Sequence, residues 1–160
     1  MSVKFRVLSL ALAALWVSAV CAQDRIAGLR SRLAHESNPV AKAKLMPQLG
    51  DAEFAAIDDD IAQGKIPEAL EVLKSYRDEV ASCDKALDAA GTDAEKHPAG
   101  FKQLQFSLRD SLRRLDGVLA NLTTDEQAPF LDIRKELGEM NRHLIEHLFP
   151  RKLTDGADRK

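Results

Sequence analysis

The sequence is poor in residues that cross-link a small domain or stack on flat ligands. It has two cysteines, one tryptophan and one tyrosine among 160 residues. Two cysteines allow at most one disulfide bond within the chain. With so few aromatic rings, no stacking platform for sugars or bases is evident.

Sequence motifs of several enzyme and cofactor classes are missing as well. The chain has no glycine-rich phosphate loop, no serine nucleophile elbow and no C-x-x-C-H haem attachment sequence. A di-iron carboxylate bundle requires Glu-x-x-His pairs on two helices. Here the residues three positions before the four histidines are Arg32, Ala94, Met140 and Leu144. We therefore expect no catalytic residues, no cofactor and no enzyme activity.

An apolar run fills the start of the chain. Lys4 and Arg6 precede an uncharged segment at 7–22 that ends in small residues. A basic start, a short apolar core and a small-residue end are typical of a secretory signal peptide. The run is also shorter than the ~20 residues of a spanning helix. We predict a signal peptide at 1–22 and an exported protein, periplasmic or secreted, that meets the membrane only through this segment before cleavage.

Cleavage fits after Ala22 or after Ala19, and the alternatives are an uncleaved anchor or lipid attachment at Cys21. Removal of 22 residues from 160 leaves 138, with 21 basic and 25 acidic residues and a net charge of −4. Cys83 is then the remaining cysteine, so the domain must rest on its apolar core, which 138 residues can supply. Mild acidity argues against nucleic acid as a partner.

Three long segments carry apolar residues every three or four positions, which is the spacing of an amphipathic helix. The first starts at Pro67, the second starts at Pro98, and the third follows a polar turn at 121–125 and ends at Pro150. We call the residues that line the inner face of each predicted helix its seam residues. They are Ile66, Ala69, Leu73, Tyr76, Val80, Cys83 and Leu87 in the first segment; Phe101, Leu104, Leu108, Ser111, Leu115, Val118 and Leu122 in the second; and Phe130, Ile133, Leu137, Met140, Leu144 and His147 in the third.

The third long segment has two start signals that compete. Thr124 with Gln127 fits a capping box. Pro129 should kink the first turn or move the start toward Ala128, because proline lacks the N–H of a helix interior.

Shorter helical segments come earlier in the chain. One spans 24–36, a second starts at Asn38-Pro39 and ends near Pro47, and a third runs from Asp51 to Gly64. No segment alternates with period two. We predict an all-α fold, an antiparallel bundle of three long helices with two or three short N-terminal helices, over residues 23–150, followed by a disordered tail at 151–160.

The segment His143-Leu144-Ile145-Glu146-His147 resembles the H-x-x-E-H zinc site of the inverzincin peptidases. Residues four apart on a helix face the same way, so both imidazoles could reach one metal ion. That family also uses a downstream carboxylate and a large catalytic domain. Only 13 residues follow, and their acids are Asp155 and Asp158. We therefore favour two histidines that interact with the negative end of the helix dipole, with a metal site as the alternative.

Three further features have ordinary structural interpretations. The run Asp58-Asp59-Asp60 lies on a predicted helix, where successive residues point in different directions, so it indicates a solvated face. Cys83 lies on the seam and is predicted to be a buried structural thiol. Asn121-Leu122-Thr123 spells a glycosylation acceptor, which matters in a eukaryotic source.

Two segments resemble known families. Residues 54–80, with Gly64-Lys65-Ile66-Pro67 between two helices, are similar to one tetratricopeptide unit, but no second copy follows at the required period. Residues 122–127, Leu-Thr-Thr-Asp-Glu-Gln, resemble the Leu-Thr-x-x-Gln signature of exported envelope-stress chaperones, which usually carry it twice.

These features together favour a small exported protein that acts by binding or structural interaction. A protein partner or self-association is expected, because the apolar stripes could continue past the core onto another helix. A periplasmic metal-binding protein or an envelope-stress chaperone is the alternative, and an H-x-x-E-H metallopeptidase is a more distant one.

We expect mass spectrometry of the exported protein to find an N-terminus at Gln23 or at Val20, because these residues follow the two small-residue cleavage sites. The intact mass of protein recovered outside the cytoplasm decides between the two sites. An N-terminus at Met1 or Ser2 would refute removal of the segment.

Overall fold

Five helices make up the part of the chain that a computed structural model describes, residues 23–91 and 93–150. They are α1 at 23–35, α2 at Pro39–Ala62, α3 at Ile66–Ala89, α4 at Ala99–Ala120 and α5 at Thr124–Leu148. These described residues contain no strand, which confirms the predicted all-α class. None of the described helices combines the length and apolar content of a membrane span. The predicted signal peptide and tail lie outside the described residues.

The four long helices form two hairpins. α2 and α3 are the first hairpin and α4 and α5 the second, each joined by three residues. The second hairpin packs on the first, with α4 along α2 and α5 along α3. Arg77 of α3 pairs with Glu136 of α5. Seven residues further along both helices, Asp84 contacts His143, so α3 and α5 run in the same direction. Neighbours are therefore antiparallel within a hairpin and parallel between hairpins.

Two helices continue through a proline, so the predicted boundary at Pro47 and the alternative start near Ala128 are wrong. α2 has no break at Pro47, and α5 begins at Thr124 rather than near Ala128 despite Pro129. Each proline removes one helix hydrogen bond, but α2 buries apolar side chains on both sides of Pro47. These are Ala43, Met46, Leu49, Phe54 and Ile57. The described residues thus form four long helices and one short one, instead of the three long helices predicted.

The cap of α5 lies one residue earlier than predicted. Thr123 is the N-cap, and its backbone N–H donates to the Glu126 carboxylate at 2.9 Å in a capping box. Gln127, which we placed in this box, instead donates to the carbonyl group of Leu119 in α4 at 3.0 Å and to that of Leu122 in the turn at 3.2 Å. The turn between α4 and α5 is therefore held at both ends.

The predicted seam residues form much of the core. Those of α3 and α4 are buried, except for the half-buried Ile66. The hydroxyl groups of Tyr76 and Ser111 lie 2.6 Å apart in this core. Phe54 packs edge-on against the Tyr76 ring, with 5.5 Å between ring centroids. Ser111, the polar interruption of the α4 stripe, thus has a buried hydrogen-bond partner on α3.

α1 lies against the first hairpin. Its apolar residues Ile26, Leu29 and Leu33 are each at most 8% exposed. Arg30, on the same helix, forms ion pairs with Glu53 of α2 and Glu79 of α3. A helix this short is marginal in isolation, so these contacts hold it in place.

We expect Gly100→Ala to destabilise the protein by about 1–3 kcal/mol, the usual effect of overpacking. A Cβ at Gly100 would lie 2.7 Å from Leu87 Cδ2 and 3.3 Å from Val40 Cγ2. Gly117→Ala is the matched control on the same helix, because nothing lies within 4 Å of its Cβ position. It should stabilise by about 0.5–1 kcal/mol, since alanine favours helix. Urea unfolding followed by circular dichroism compares them, and equal stabilities would contradict the close approach.

Candidate metal centre

Four side chains that could ligate or orient a metal ion meet where α3 and α5 lie side by side. Asp84 and Asp88 come from α3, and His143 and His147 come from α5. Each pair is spaced four residues apart, so both members project from one face of their helix. Because the two helices run in the same direction, the first acid faces the first histidine and the second faces the second.

Asp88 lies between the two imidazoles. Its Oδ2 atom is 3.8 Å from His143 Nε2, and its Oδ1 atom is 3.6 Å from His147 Nδ1. One ligand atom from each of the three residues lies within 4.8 Å of the others. Ligands about 2.0–2.2 Å from a tetrahedral zinc ion are roughly 3–3.5 Å apart. Small movements of these side chains would therefore let them share one ion.

Asp84 contacts the other nitrogen of His143. Its Oδ2 atom is 3.3 Å from His143 Nδ1, and the Asp84 side chain is only 13% exposed. Its Oδ1 atom is buried and has no hydrogen-bond partner among the described residues. Burial raises the pKa of Asp84, which the charge of His143 partly opposes. A carboxylate in this position accepts a hydrogen bond from Nδ1–H and leaves Nε2 free to bind a metal.

His147 lies at the surface rather than closing the apolar seam. Its side chain is 41% exposed. The ring stacks on Phe101 of α4, with 5.9 Å between centroids, and lies 4.3 Å from the His143 ring. Phe101 is buried. The His147 imidazole therefore packs against a buried aromatic ring, which limits the orientations that the imidazole can adopt.

The donor set consists of two imidazoles and one carboxylate. Imidazole suits zinc, copper, iron and nickel, whereas calcium and magnesium prefer oxygen ligands. Two histidines and one carboxylate bind zinc in several enzymes and iron in oxygenases, where water or substrate takes the remaining positions. The arrangement is thus suited to a divalent transition metal ion with part of its coordination open to solvent.

The sequence predicted the shared face of the two histidines but missed the acids beside them. We sought a third ligand after the histidines, at Asp155 and Asp158, which lie outside the described residues. Glu146 of the H-x-x-E-H segment is exposed and is not a member of the group. The acids come instead from the end of α3. The available signal was the equal four-residue spacing of Asp84 with Asp88 and of the two histidines.

Two other predicted features are confirmed. Asp58 and Asp59 are exposed, Asp60 is half-buried, and none of them joins a metal-ligating group among the described residues. Cys83 is 1% exposed, and burial raises the pKa of its thiol to about 12. The thiol therefore stays protonated at neutral pH and is a poor nucleophile.

Comparison with known proteins identified no relative of this chain. No protein-family model matches the chain, and neither a curated protein nor a solved structure matches it. The chemistry of the site itself is therefore the basis for a functional conclusion.

Proposed function

We propose that this protein is an exported metal-binding protein that holds one divalent transition metal ion. Asp88, His143 Nε2 and His147 Nδ1 are the ligands, and Asp84 orients His143. One observation carries the proposal. Two pairs of residues with ligand side chains, each spaced four apart, converge from neighbouring helices so that three ligand atoms lie within 4.8 Å of one another.

The exposure of the site favours reversible binding. The side chains of Asp88, His143 and His147 are between 37% and 41% exposed. An ion with its remaining waters can therefore enter and leave without unfolding of the chain. Because metal ligands must be deprotonated, protons compete with the ion and affinity falls in acid solution.

A bound ion would also link the two hairpins. Asp88 belongs to the first hairpin and both histidines belong to the second. A ligand that binds the folded chain and not the unfolded one stabilises the fold. Metal binding and thermal stability should therefore rise together.

Zinc titration of the protein should give one ion per chain, and His143→Ala/His147→Ala should weaken binding by more than about 100-fold, because both nitrogen ligands are lost. Isothermal titration calorimetry measures stoichiometry and affinity. At free zinc 100-fold above Kd, the parent should gain about 2.7 kcal/mol of stability, which the variant should lack. His35→Ala/His97→Ala removes two histidines elsewhere and should bind like the parent. Equal affinities of the parent and the first variant would contradict the site.

Asp88→Asn and Asp84→Asn should separate a ligand from an orienting residue. Asp88→Asn removes the charged ligand and should abolish tight zinc binding. Asp84→Asn should weaken binding by about 10–100-fold, the usual effect of losing the partner of a ligating histidine. Asp78→Asn is the control, because this exposed carboxylate on α3 pairs with Arg77. Competition with a zinc-chelating dye measures the affinities. If Asp84→Asn binds as tightly as Asp78→Asn, Asp84 has no part in the site.

A further inference from the structure

A second cluster of charged groups lies on the other side of α3, beneath α1. Arg30 Nε of α1 is 2.9 Å from Glu53 Oε1 of α2 and 2.8 Å from Glu79 Oε1 of α3. The Glu53 side chain is fully buried, that of Glu79 is 17% exposed and that of Arg30 is 35% exposed. One guanidinium group therefore joins three helices through one buried and one half-buried carboxyl group.

The charges of this cluster do not balance when both carboxyl groups are ionised. Two negative charges would then face one positive charge, and the Glu53 side chain that carries one of them is fully buried. The second oxygens, Glu53 Oε2 and Glu79 Oε2, are both buried and have no hydrogen-bond partner among the described residues. A proton kept on Glu53 would remove the excess charge and supply a donor to the second carboxylate.

The environment holds that proton at neutral pH. Burial, helped by the charge of Glu79, raises the pKa of Glu53 to about 8, although Arg30 opposes the shift. Burial also raises the pKa of Glu79. Among the described residues, neither carboxyl group forms an ion pair with a second cation. From α3, Asp78 adds negative charge, and the Tyr76 phenol, with its pKa raised to about 12, stays neutral.

The groove beside the cluster shows what α1 covers. It has a volume of about 420 Å³, and its lining includes Arg30 and Leu33 of α1, Lys42 of α2, and Glu79 and Cys83 of α3. Lys42 is the second cation of this region, and it lies on the groove wall. Detachment of α1 would open the groove, expose the buried Cys83 thiol and admit water to both carboxyl groups.

We propose that Arg30, Glu53 and Glu79 form a proton-dependent latch, which holds α1 on the first hairpin in mildly acidic solution and loosens it as the pH rises toward 8. In the detached state Glu53 is hydrated and ionises in its ordinary range, near 4.5. In the docked state it keeps its proton. Detachment therefore releases one proton between about pH 4.5 and pH 8, and higher pH favours it.

The size of the effect follows from this linkage. For one released proton, the equilibrium constant for detachment of α1 rises by up to about tenfold per pH unit between the two pKa values and is constant above the higher one. A group whose pKa is raised in the docked state thus stabilises docking of α1 fully in acid solution, and this stabilisation is lost as the pH rises to 8. The device is separate from the metal site, because no residue belongs to both.

Cys83 reports the position of α1. In a chain with Cys21→Ser it is the only thiol, and its modification by dithiodipyridine requires the groove to open. We compare its rate with that of the same chain carrying Glu53→Gln. The glutamine amide cannot ionise. Its oxygen can accept a hydrogen bond from Arg30, and its NH₂ group can donate one to Glu79. The ratio of parent to Glu53→Gln rates should rise by up to about tenfold per unit from pH 5 to 8 and then level off.

Glu71→Gln is the matched control, because it removes an exposed carboxylate from α3 and should leave the parent pH profile unchanged. Hydrogen exchange of the parent chain gives a test that needs no foldable variant. Amides of α1 should lose protection relative to those of α4 over the same pH range. A flat rate ratio, or equal loss of protection in α1 and α4, would overturn the latch.

Discussion

The parallel packing of α5 along α3 is the constraint on which the rest of this structure depends. It sets one register for three polar contacts, Arg77 with Glu136, Asp84 with His143 and Asp88 with His147, each pair separated by 59 residues along the chain. Apolar side chains hold this register from within, and the buried hydrogen bond between Tyr76 and Ser111 joins α3 to α4, the other helix of the second hairpin. A slip of one residue in either helix would turn the four side chains of the metal site away from one another, because successive helical residues point about 100° apart.

The two polar clusters of the fold differ in burial, and burial decides their chemistry. At the candidate metal site the side chains of Asp88, His143 and His147 are partly exposed, so water solvates their charges and a bound ion could exchange. Beneath α1 the Glu53 carboxyl group has no contact with water. Ionisation there leaves an uncompensated charge in a medium of low polarity, so the group holds a proton instead. A carboxyl group is thus suited to a metal ion at the first place and to a proton at the second.

Much of the helical architecture could be predicted from local patterns. The stripes of α3 and α4 were correct at every position except the half-buried Ile66, because a buried helix face needs an apolar side chain at every third or fourth position. Asn38 was correctly taken as the cap of α2. The prediction that the helix ends near Pro47 was wrong. It considered the hydrogen bond that proline removes, but not the apolar side chains that α2 buries on both sides of Pro47. No local pattern indicated that Asp84 and Asp88 face α5.

The sequence by itself determined that this chain is helical, that Cys83 is a buried thiol and that His143 and His147 share one face of a helix. Each of these follows from the spacing of residues within a single helix. Only the tertiary structure decided that Asp84 and Asp88 meet those histidines, and that Arg30 joins one buried and one half-buried carboxyl group from two other helices. These contacts connect residues that lie 23 or more positions apart. They depend on which helices pack together and in which direction, and the packing free energy that selects the arrangement is spread over the whole core.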